Sequence, residues 1–319
     1  MAQHGKGPVT GPERDRLLSK MFGTAYLSRP AGGLHEGDSA AKHIRQVTPV
    51  PQAMAGAAVT DPESLGFLAV RALNRLLAEG RIPDTAAFSV VFPVNTEERE
   101  MREYVRAVRD AVSSYALPVA IGSAELSRGE VSQAFGSVFA SGDRKLAKTA
   151  PEDAELSIIQ CGETAAWDTL RLYREREELL VLPKHFREGA EALRKCLDLS
   201  HAILTGYRNG AALMEPVERG GIFTALWELG ERTRLGMETE LPEILISQQT
   251  IEACEILDQN PYLLGGGGSV LMVTAEPKRL LSALWEAELP AAKIGCLHTG
   301  AARLVRNGDE VRNLEPYRG

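Results

Sequence analysis

The pattern of apolar and polar residues predicts regular elements along most of the chain after residue 60. Across residues 64–80, leucine and alanine recur every three or four positions and Gly80 ends the run, which predicts an amphipathic helix. Residues 86–94 are rich in β-forming side chains and predict a buried strand. The first sixty residues contain many glycine, proline and alanine residues without a clear period, so we expect a loosely structured arm there.

The rest of the first half continues this alternation of helices and strands. Thr96 followed by Glu97 and Glu98 suits a helix start, because carboxylates stabilise the amino end of the helix dipole, and the helix should run to about residue 116. Residues 118–121 and 133–140 predict two further strands. This order indicates a mixed α/β unit with an open sheet. Turn-forming residues at 151–153 place the start of a second domain nearby.

The second half again alternates helical and strand patterns. Asn307-Gly308 lies between two strand-like runs and predicts a type I′ hairpin, because both central residues of that turn need positive φ. The predicted strands are residues 156–161, 202–204, 237–241, 269–275 and 293–298, and the predicted helices are residues 165–180, 184–199, 221–234, 247–257 and 277–288.

Length and charge narrow the class of protein. A chain of 319 residues is long enough for two domains, and 44% hydrophobic with 25% charged residues is typical of a folded globular protein. The net charge of -7 argues against a nucleic-acid partner, since phosphate binding needs a clustered positive field. No run approaches the roughly 20 apolar residues that span a bilayer, so we expect a cytoplasmic protein with no membrane partner.

Two glycine segments are candidates for binding phosphate. Residues 265–268 (GGGG) precede strand-forming residues, whereas phosphate loops precede a helix, so we interpret this segment as a turn. Gly220 and Gly221 instead open a predicted helix, whose unpaired N–H groups suit an anion. Close packing of that helix against a sheet needs the same residues, and the sequence leaves both interpretations open.

Metal-binding and nucleophile motifs are scarce. The six histidines show no zinc-binding spacing, and no GxSxG motif indicates a serine hydrolase. Glu36 and Asp38, on either side of Gly37, offer the hard oxygens that Mg²⁺ prefers, although most acidic loops are simply solvated. Glu125 ends a strand-forming run, which is where α/β proteins place functional side chains, but it is equally typical of a solvated turn.

A resemblance to a known family is carried by three segments of the second half: EPVERGGIFTALWELGE, LPEILISQQTIEACEILDQNPYLLGGGGSVLMV and AAKIGCLHTG. They resemble the carboxy-terminal domain of the aminoimidazole ribonucleotide synthase-related (PurM-like) superfamily, nearest to the branch of the hydrogenase-maturation carbamoyl dehydratase. LGFLAVRALNRLLAEGRIP and PVAIGSAE are similar to its amino-terminal domain.

The resemblance implies a two-domain α/β fold that dimerises. The amino-terminal domain would have a mixed sheet with helices and join its copy in a barrel, and the carboxy-terminal domain would be an α/β sandwich. On this basis we expect an arm at residues 1–45 and domains at residues 46–150 and 151–319. The resemblance also implies ATP and Mg²⁺ as cofactors of a phosphoryl transfer, which needs acidic metal ligands and backbone donors.

The sequence departs from the family at most of the positions that handle the metal. Asn74-Arg75 stands where relatives carry Asn-Asp with the aspartate on Mg²⁺, and Pro216 stands where the second domain carries an aspartate. Gly37-Asp38 still resembles the family's first aspartate. Two unit charges about 4 Å apart interact by about 4 kcal/mol at an effective dielectric of about 20, so Arg75 should repel a metal as strongly as an aspartate attracts it. An arginine can nevertheless contact phosphate directly.

Two hypotheses follow from these departures. The first is a homodimeric homologue without catalytic activity that binds a small-molecule ligand or a protein partner, for which an active paralogue is one candidate. The second is an ATP-dependent kinase or dehydratase that uses a rearranged metal site. The candidate cofactor-binding residues are Gly37, Asp38, Asn74, Arg75, Glu125, Gly220 and Gly221, and the candidate metal ligands are Asp38 and Asp61, with Glu125 beside them in the second hypothesis.

Overall fold

The computed structural model describes residues 53–113, 115, 117, 119–127, 132–142, 144–145 and 155–315. The described strands form one sheet of four strands, one of seven strands and a separate two-stranded pair. Helices pack on both larger sheets, which confirms the predicted two-domain α/β architecture. The predicted arm at residues 1–45 lies outside the described residues, and the domain limits near residues 46 and 150 remain predictions.

The amino-terminal unit is a small mixed sheet covered by two helices. Its elements are β1 (Ala53–Val59), α1 (Pro62–Ala78), β2 (Arg81–Ile82), β3 (Thr85–Phe92), α2 (Glu98–Ser113), β4 (Val119–Leu126), β5 (Ala134–Ser141) and β6 (Arg144–Lys145). The strand order of the sheet is β1-β5-β3-β4, with β3 and β4 parallel and the other pairs antiparallel, while β2 pairs with β6.

Local sequence explains how this unit forms. Asp61 caps α1 by accepting a hydrogen bond from the backbone N–H of Ser64 (2.8 Å), and a proline occupies the first turn of the helix. Strand β3 alternates buried and partly exposed residues, so that Phe88 and Phe92 face the helices. Tyr104 of α2 packs edge-on against Phe92, with ring centroids 5.2 Å apart.

The carboxy-terminal unit is a larger sheet with helices on both faces. Its strand order is β13-β12-β9-β11-β7-β10-β8, with β9 and β12 parallel and the other pairs antiparallel. Its elements are β7 (Leu156–Gly162), α3 (Ala166–Glu175), α4 (Lys184–Ala192), α5 (Ser200–Arg208), β8 (Ala211–Pro216), α6 (Gly221–Thr233), β9 (Gly236–Glu240), α7 (Gln248–Ile256), β10 (Ser269–Thr274), α8 (Pro277–Glu286), β11 (Ala291–His298), β12 (Arg303–Asn307) and β13 (Glu310–Asn313).

Strand β10 shows why the central strands read as continuous apolar runs. All six of its residues are buried. Val270 and Met272 belong to the core on one face of the sheet, whereas Leu271 and Val273 belong to the core on the other face. A strand that is covered on both faces has no solvent-facing position, so period-two alternation disappears from its sequence. None of the described helices is both long enough and apolar enough to cross a membrane.

One predicted element was wrong, and two strands of the larger sheets were not predicted. Residues 202–204 form part of helix α5 rather than a strand, because three apolar residues in a row do not distinguish a buried helix from a strand. Strand β8 was missed, since its sequence AALMEP ends in a charged residue and a proline. Strand β1 was also missed, because AMAGAAV has little β-propensity and is held by antiparallel pairing with β5.

The predicted hairpin exists, but its turn lies one residue further along the chain. Asn307 pairs with Glu310, so the two central residues are Gly308 and Asp309. Positive φ occurs at Gly308 (61°) and not at Asp309, which is the pattern of a type II′ turn rather than type I′. Glycine at the first central position is the residue that a type II′ turn requires.

Helix α1 ties the two units together through a buried asparagine. Asn74 donates a hydrogen bond to the carbonyl of Leu197 (2.7 Å) and accepts one from the N–H of Leu199 (3.0 Å). The hydroxyl of Tyr115 also donates to the Asn74 side chain (3.2 Å). Because these two backbone groups belong to the carboxy-terminal unit, the amide fixes the position of α1 against it.

Replacing this asparagine should therefore weaken the whole structure. An Asn74→Leu substitution leaves the Leu199 N–H and the Leu197 carbonyl without a partner, at a cost of about 1–3 kcal/mol for each buried group. We expect the free energy of unfolding, measured by urea denaturation, to fall by about 2–6 kcal/mol. Tyr115→Phe is the matched control: it leaves both backbone bonds in place, removes only the hydroxyl that also donates to Asp198 (2.8 Å), and should cost about 1–2 kcal/mol. A leucine variant as stable as the parent would contradict this role.

Candidate ligand-binding cleft

A cavity of about 530 Å³ lies where the two units meet. Its walls come from the end of β1, the buried side of α1, the start of α3 and the two loops that precede α6 and β10. The lining residues are Val59, Thr60, Ser64, Phe67, Leu68, Arg71, Trp167, Asp168, Arg171, Arg219, Gly220, Leu263, Leu264, Gly265 and Gly266. We refer to this cavity as the cleft.

The glycine-rich segment forms a turn at the wall of the cleft, as the sequence predicts. Gly266, Gly267 and Gly268 all have positive φ (93°, 76° and 97°). The carbonyls of Gly266 and Gly267 accept hydrogen bonds from the N–H groups of Trp167 and Ala166 (3.1 Å each), so the turn caps α3. The first N–H groups of α3 are thereby satisfied by the protein itself, which does not suit a phosphate cradle of the usual kind.

Gly220 and Gly221 lie at the start of α6, where the backbone of another loop comes close to the helix. Gly221 has φ of 69°, and a Cβ atom there would lie 2.2 Å from the carbonyl oxygen of Tyr262. The loop that follows α7 therefore packs directly on the entry of α6, which supports the packing interpretation for Gly221. Gly220 lines the cleft, so a role in binding an anion remains a prediction for this residue.

The charges that line the cleft are mainly positive. Arg71, Arg171 and Arg219 line it together with a single carboxylate, that of Asp168. Arg71 pairs with Glu218 (3.0 Å), and Arg171 pairs with Asp61. Arg219 is exposed and has no ion-pair partner among the described residues. Arg219 is therefore the guanidinium of the cleft that can pair with a negatively charged ligand without giving up an ion pair within the protein.

Asp168 is the carboxylate at the centre of this positive surface. Burial raises the pKa of its side chain, while a hydrogen bond from the backbone of Gly265 and the charges of Arg71, Arg171 and Arg219 oppose that rise. The neutral form of Asp168 is therefore more accessible than that of an exposed aspartate. A protonated carboxyl can donate a hydrogen bond to an anionic ligand.

Two aromatic rings flank these charges. Phe67 of α1 and Trp167 of α3 stack with centroids 4.4 Å apart and planes inclined by 15°. Arg71 lies over the Phe67 ring (5.9 Å to the centroid), and Arg171 lies over the Trp167 ring (5.8 Å). The rings belong to different units, so stacking also holds the two walls of the cleft together.

Arg75 lies one helical turn beyond Arg71 and does not line the cleft. Its guanidinium Nη1 lies 3.4 Å from Glu215 and 3.5 Å from Glu218. Burial by itself would lower the pKa of Arg75, but Glu218 and Glu215 hold it above its usual value. Glu215 is only 1% exposed and is also paired with Arg232. The acidic residues thus converge on Arg75 instead of forming an empty acidic pocket.

The remaining candidate site residues are dispersed. Asn74 uses its amide to join the two units, as described above, and it does not line the cleft. Glu125 lies in β4 opposite Val91. The structure describes its backbone but not its side chain, so its predicted role remains a prediction. Gly37 and Asp38, with the neighbouring Glu36, also lie outside the described residues, so their predicted roles remain predictions.

The described residues do not fit a divalent metal. They contain no group of three histidine, cysteine, aspartate or glutamate side chains that could hold one. The carboxylate of Asp61, the predicted ligand within the described part of the chain, caps α1 and pairs with Arg171. Mg²⁺ prefers several hard oxygens that no cation already occupies, and Asp61 does not offer such oxygens.

Several residues of the cleft were missed by sequence reasoning. Arg71 stands four residues before Arg75, and this spacing places both arginines on one side of α1. The sequence pattern could therefore have indicated Arg71 as a candidate beside Arg75. Trp167, Asp168 and Arg171 lie on α3, more than 90 residues away along the chain, and no local pattern links them to Arg71. Their proximity depends on the packing of the two units.

Comparison with known proteins supports the fold rather than a specific activity. The sequence matches no protein-family model, and no match is found among curated protein sequences. Among solved structures, Escherichia coli HypE, a hydrogenase maturation protein, matches with a TM-score of 0.67 and 15% identity over 96% of this chain and 98% of that chain. The chain therefore has the two-domain PurM-like fold.

Two further solved structures match this chain over most of its length. A HypE in complex with ATP matches with a TM-score of 0.66 and 15% identity, covering 97% of this chain and 96% of that chain. Thiamine monophosphate kinase from Aquifex aeolicus matches with a TM-score of 0.62 and 15% identity, covering 89% of this chain and all of that chain (100%). Identities this low establish the shared PurM-like fold alone.

The acidic cluster beside Arg75 should make stability depend on pH. Burial raises the pKa of the Glu228 carboxyl, and the nearby Glu215 raises it further, against the effect of Arg75. A folded-state pKa above the unfolded value means that stability falls as pH rises from the unfolded pKa through the folded one. We expect Glu228→Gln to raise the free energy of unfolding at pH 7 and to leave it unchanged at about pH 3.5, below the usual glutamate pKa.

Urea denaturation at the two pH values measures this difference. Glu286→Gln, on the exposed surface of α8, is the matched control and should change stability at neither pH. A Glu228→Gln variant that is less stable than the parent at pH 7 would show that the charged form is favoured by its arginine neighbours, contrary to this prediction.

Proposed function

We propose that this protein is a dimeric binding protein that holds an anionic, ring-containing small molecule, such as a nucleotide, in the cleft without metal-dependent phosphoryl transfer. The observation that carries the proposal is the charge of the residues that line the cleft. They include three arginines, of which Arg219 has no ion pair among the described residues, and a single, partly buried carboxylate instead of the group of carboxylates that a metal needs.

The arrangement of the arginines supports binding of a phosphate-like group. Guanidinium groups form charge-assisted, often bidentate hydrogen bonds with phosphate oxygens, so they can take over part of the role of a metal as a counter-charge. Arg219 makes no ion pair among the described residues, although the charge of Asp168 lies near it, whereas Arg71 and Arg171 are each paired with a carboxylate. A volume of about 530 Å³ is within the range of small-molecule sites.

The same arrangement disfavours the rival proposal of an ATP-dependent enzyme. Phosphoryl transfer of the family type needs metal ions that bridge the phosphates, and those ions need free carboxylates. Among the described acidic residues near the cleft, Asp61 and Glu218 are already paired with arginines. Asp168 is the single described carboxylate that lines the cleft, so the rival needs it together with Asp38 and its neighbours.

Calorimetric titration with ADP distinguishes these proposals. We expect ADP to bind equally well in excess EDTA and in excess Mg²⁺, and Arg219→Ala to weaken binding by about tenfold, because one charge-assisted hydrogen bond contributes about 1.5–3 kcal/mol. Arg109→Ala, an exposed arginine on α2, is the matched control and should have no effect.

An ATPase assay on the same proteins completes the test. We expect no turnover of Mg²⁺–ATP above background. ADP binding that requires Mg²⁺, with ATP turnover that disappears in Asp38→Ala, would overturn the proposal in favour of the enzyme.

Dimer formation, the second part of the proposal, is supported by the open face of the amino-terminal sheet. The helices α1 and α2 cover one face, while Phe135 and Phe139 of β5 project from the other and are 54% and 45% exposed. Val91 and Ala87 lie directly opposite them on β3. An apolar stripe of this kind on a sheet is typical of a protein interface, and the family resemblance implies that two such sheets join.

Light scattering coupled to size-exclusion chromatography tests the dimer. We expect the parent to elute as a dimer and the double variant Phe135→Ser/Phe139→Ser as a folded monomer, since both changes are on the solvent side of the isolated subunit. Trp285→Ser, a 57% exposed aromatic on α8, is the control and should remain dimeric. A dimer that persists in the double variant would contradict the proposed interface.

A further inference from the structure

A second cavity, of about 570 Å³, lies at the far edge of the carboxy-terminal sheet from β8. It is enclosed by the start of α6, the loop that follows α7 and the hairpin formed by β12 and β13. We propose that this cavity is a separate binding site for a small planar molecule that carries no negative charge. Nothing in the proposed function of the cleft requires this site.

An aromatic wall and an apolar floor define the shape of the site. The rings of Phe223 and Tyr262 stack almost parallel, with centroids 5.2 Å apart and planes inclined by 7°. Leu241, Val305 and Leu314 supply the apolar floor, and the last two are buried. A flat wall with an apolar floor suits a flat ring system, because a ring buries the largest apolar area against such a surface.

The walls of the site are fixed before any ligand arrives. The carbonyl of Tyr262 accepts a hydrogen bond from the N–H of Phe223 (3.4 Å), and the N–H of Tyr262 donates to the Asn260 side chain (3.0 Å). On the opposite side, the N–H of Leu314 donates to the carbonyl of Arg303 (2.8 Å). A preformed site binds a ligand at a low cost in conformational entropy.

The charge at the rim selects against anions. Among the described residues that line the cavity, the charged ones are Glu310, Arg312 and Glu315. The guanidinium of Arg312 is already bonded to Glu310 (2.8 Å). One paired cation and a second carboxylate leave no counter-charge for a negative ligand, whereas a neutral or cationic one meets no repulsion. This preference is opposite to that of the cleft.

The two cavities are neighbours but chemically independent. Leu263 lines both of them, while none of the cleft arginines lines the second cavity. A ligand of the second cavity should therefore bind equally to a protein whose cleft has been altered. This independence allows the proposal to be tested apart from the function of the cleft.

Ligand-observed NMR titration of the full chain with three indoles tests the proposal. Indole is neutral, tryptamine is cationic and indole-3-acetate is anionic, while all three share one ring system. We expect tryptamine to bind at least as tightly as indole, and indole-3-acetate to bind about tenfold more weakly than indole, because Glu315 attracts the cation and repels the anion. Arg219→Ala should leave indole binding unchanged.

A substitution at the rim locates the binding. Asn313→Trp places a large ring in the mouth of the cavity from an exposed position, so the core is not disturbed, and should weaken indole binding by about tenfold or more. Val311→Trp is the matched control, because Val311 lies on the same edge strand, is 46% exposed and does not line the cavity. It should bind indole like the parent.

Four results would overturn the proposal. The first is the absence of indole binding, and the second is equal weakening by Asn313→Trp and Val311→Trp. The third is indole binding that appears only after deletion of residues 316–319, which would identify the occupant of the cavity as a segment of the chain itself. Preferred binding of indole-3-acetate would overturn the predicted charge preference.

Discussion

The pairing of one buried carboxylate determines how the two units of this protein fit together. Glu215 lies at the end of β8 and is almost fully removed from water, so its charge must be balanced within the protein. Arg232 supplies one partner from the same unit, and Arg75 supplies another from α1 of the amino-terminal unit. The position of α1 on the larger sheet is therefore constrained by charge as well as by the amide of Asn74.

This constraint sets the character of the cleft. Because α1 is fixed with Arg75 over Glu215, the two preceding turns of the helix place Arg71 and Phe67 in the cleft wall. Phe67 then meets Trp167, and Arg71 meets Glu218, so the aromatic and charged parts of the wall arise from the same docking. The arginine at position 75 thus has a structural role of its own. It contributes an ion pair that depends on acidic residues in the other unit.

The match to HypE at 15% identity shows which properties of a fold tolerate sequence change. A core accepts many apolar side chains if volume and pattern are retained, as in β10, whose residues divide between two cores. A metal site accepts few changes, because reversing one charge turns attraction into repulsion. The architecture can therefore persist while the chemistry of its cavities changes.

The sequence by itself determined the amphipathic helix α1, most strands of both sheets and the glycine turn before β10, because hydrophobic period and turn chemistry are local properties. It did not determine β1, whose alanine-rich residues form a strand through pairing with β5, nor α5, whose short apolar run suits helix and strand equally. The tertiary structure alone decided that Arg71, Asp168 and Arg219 share one cleft and that Arg75 faces Glu215. Such proximity between distant residues depends on how two units dock, and no local pattern encodes it.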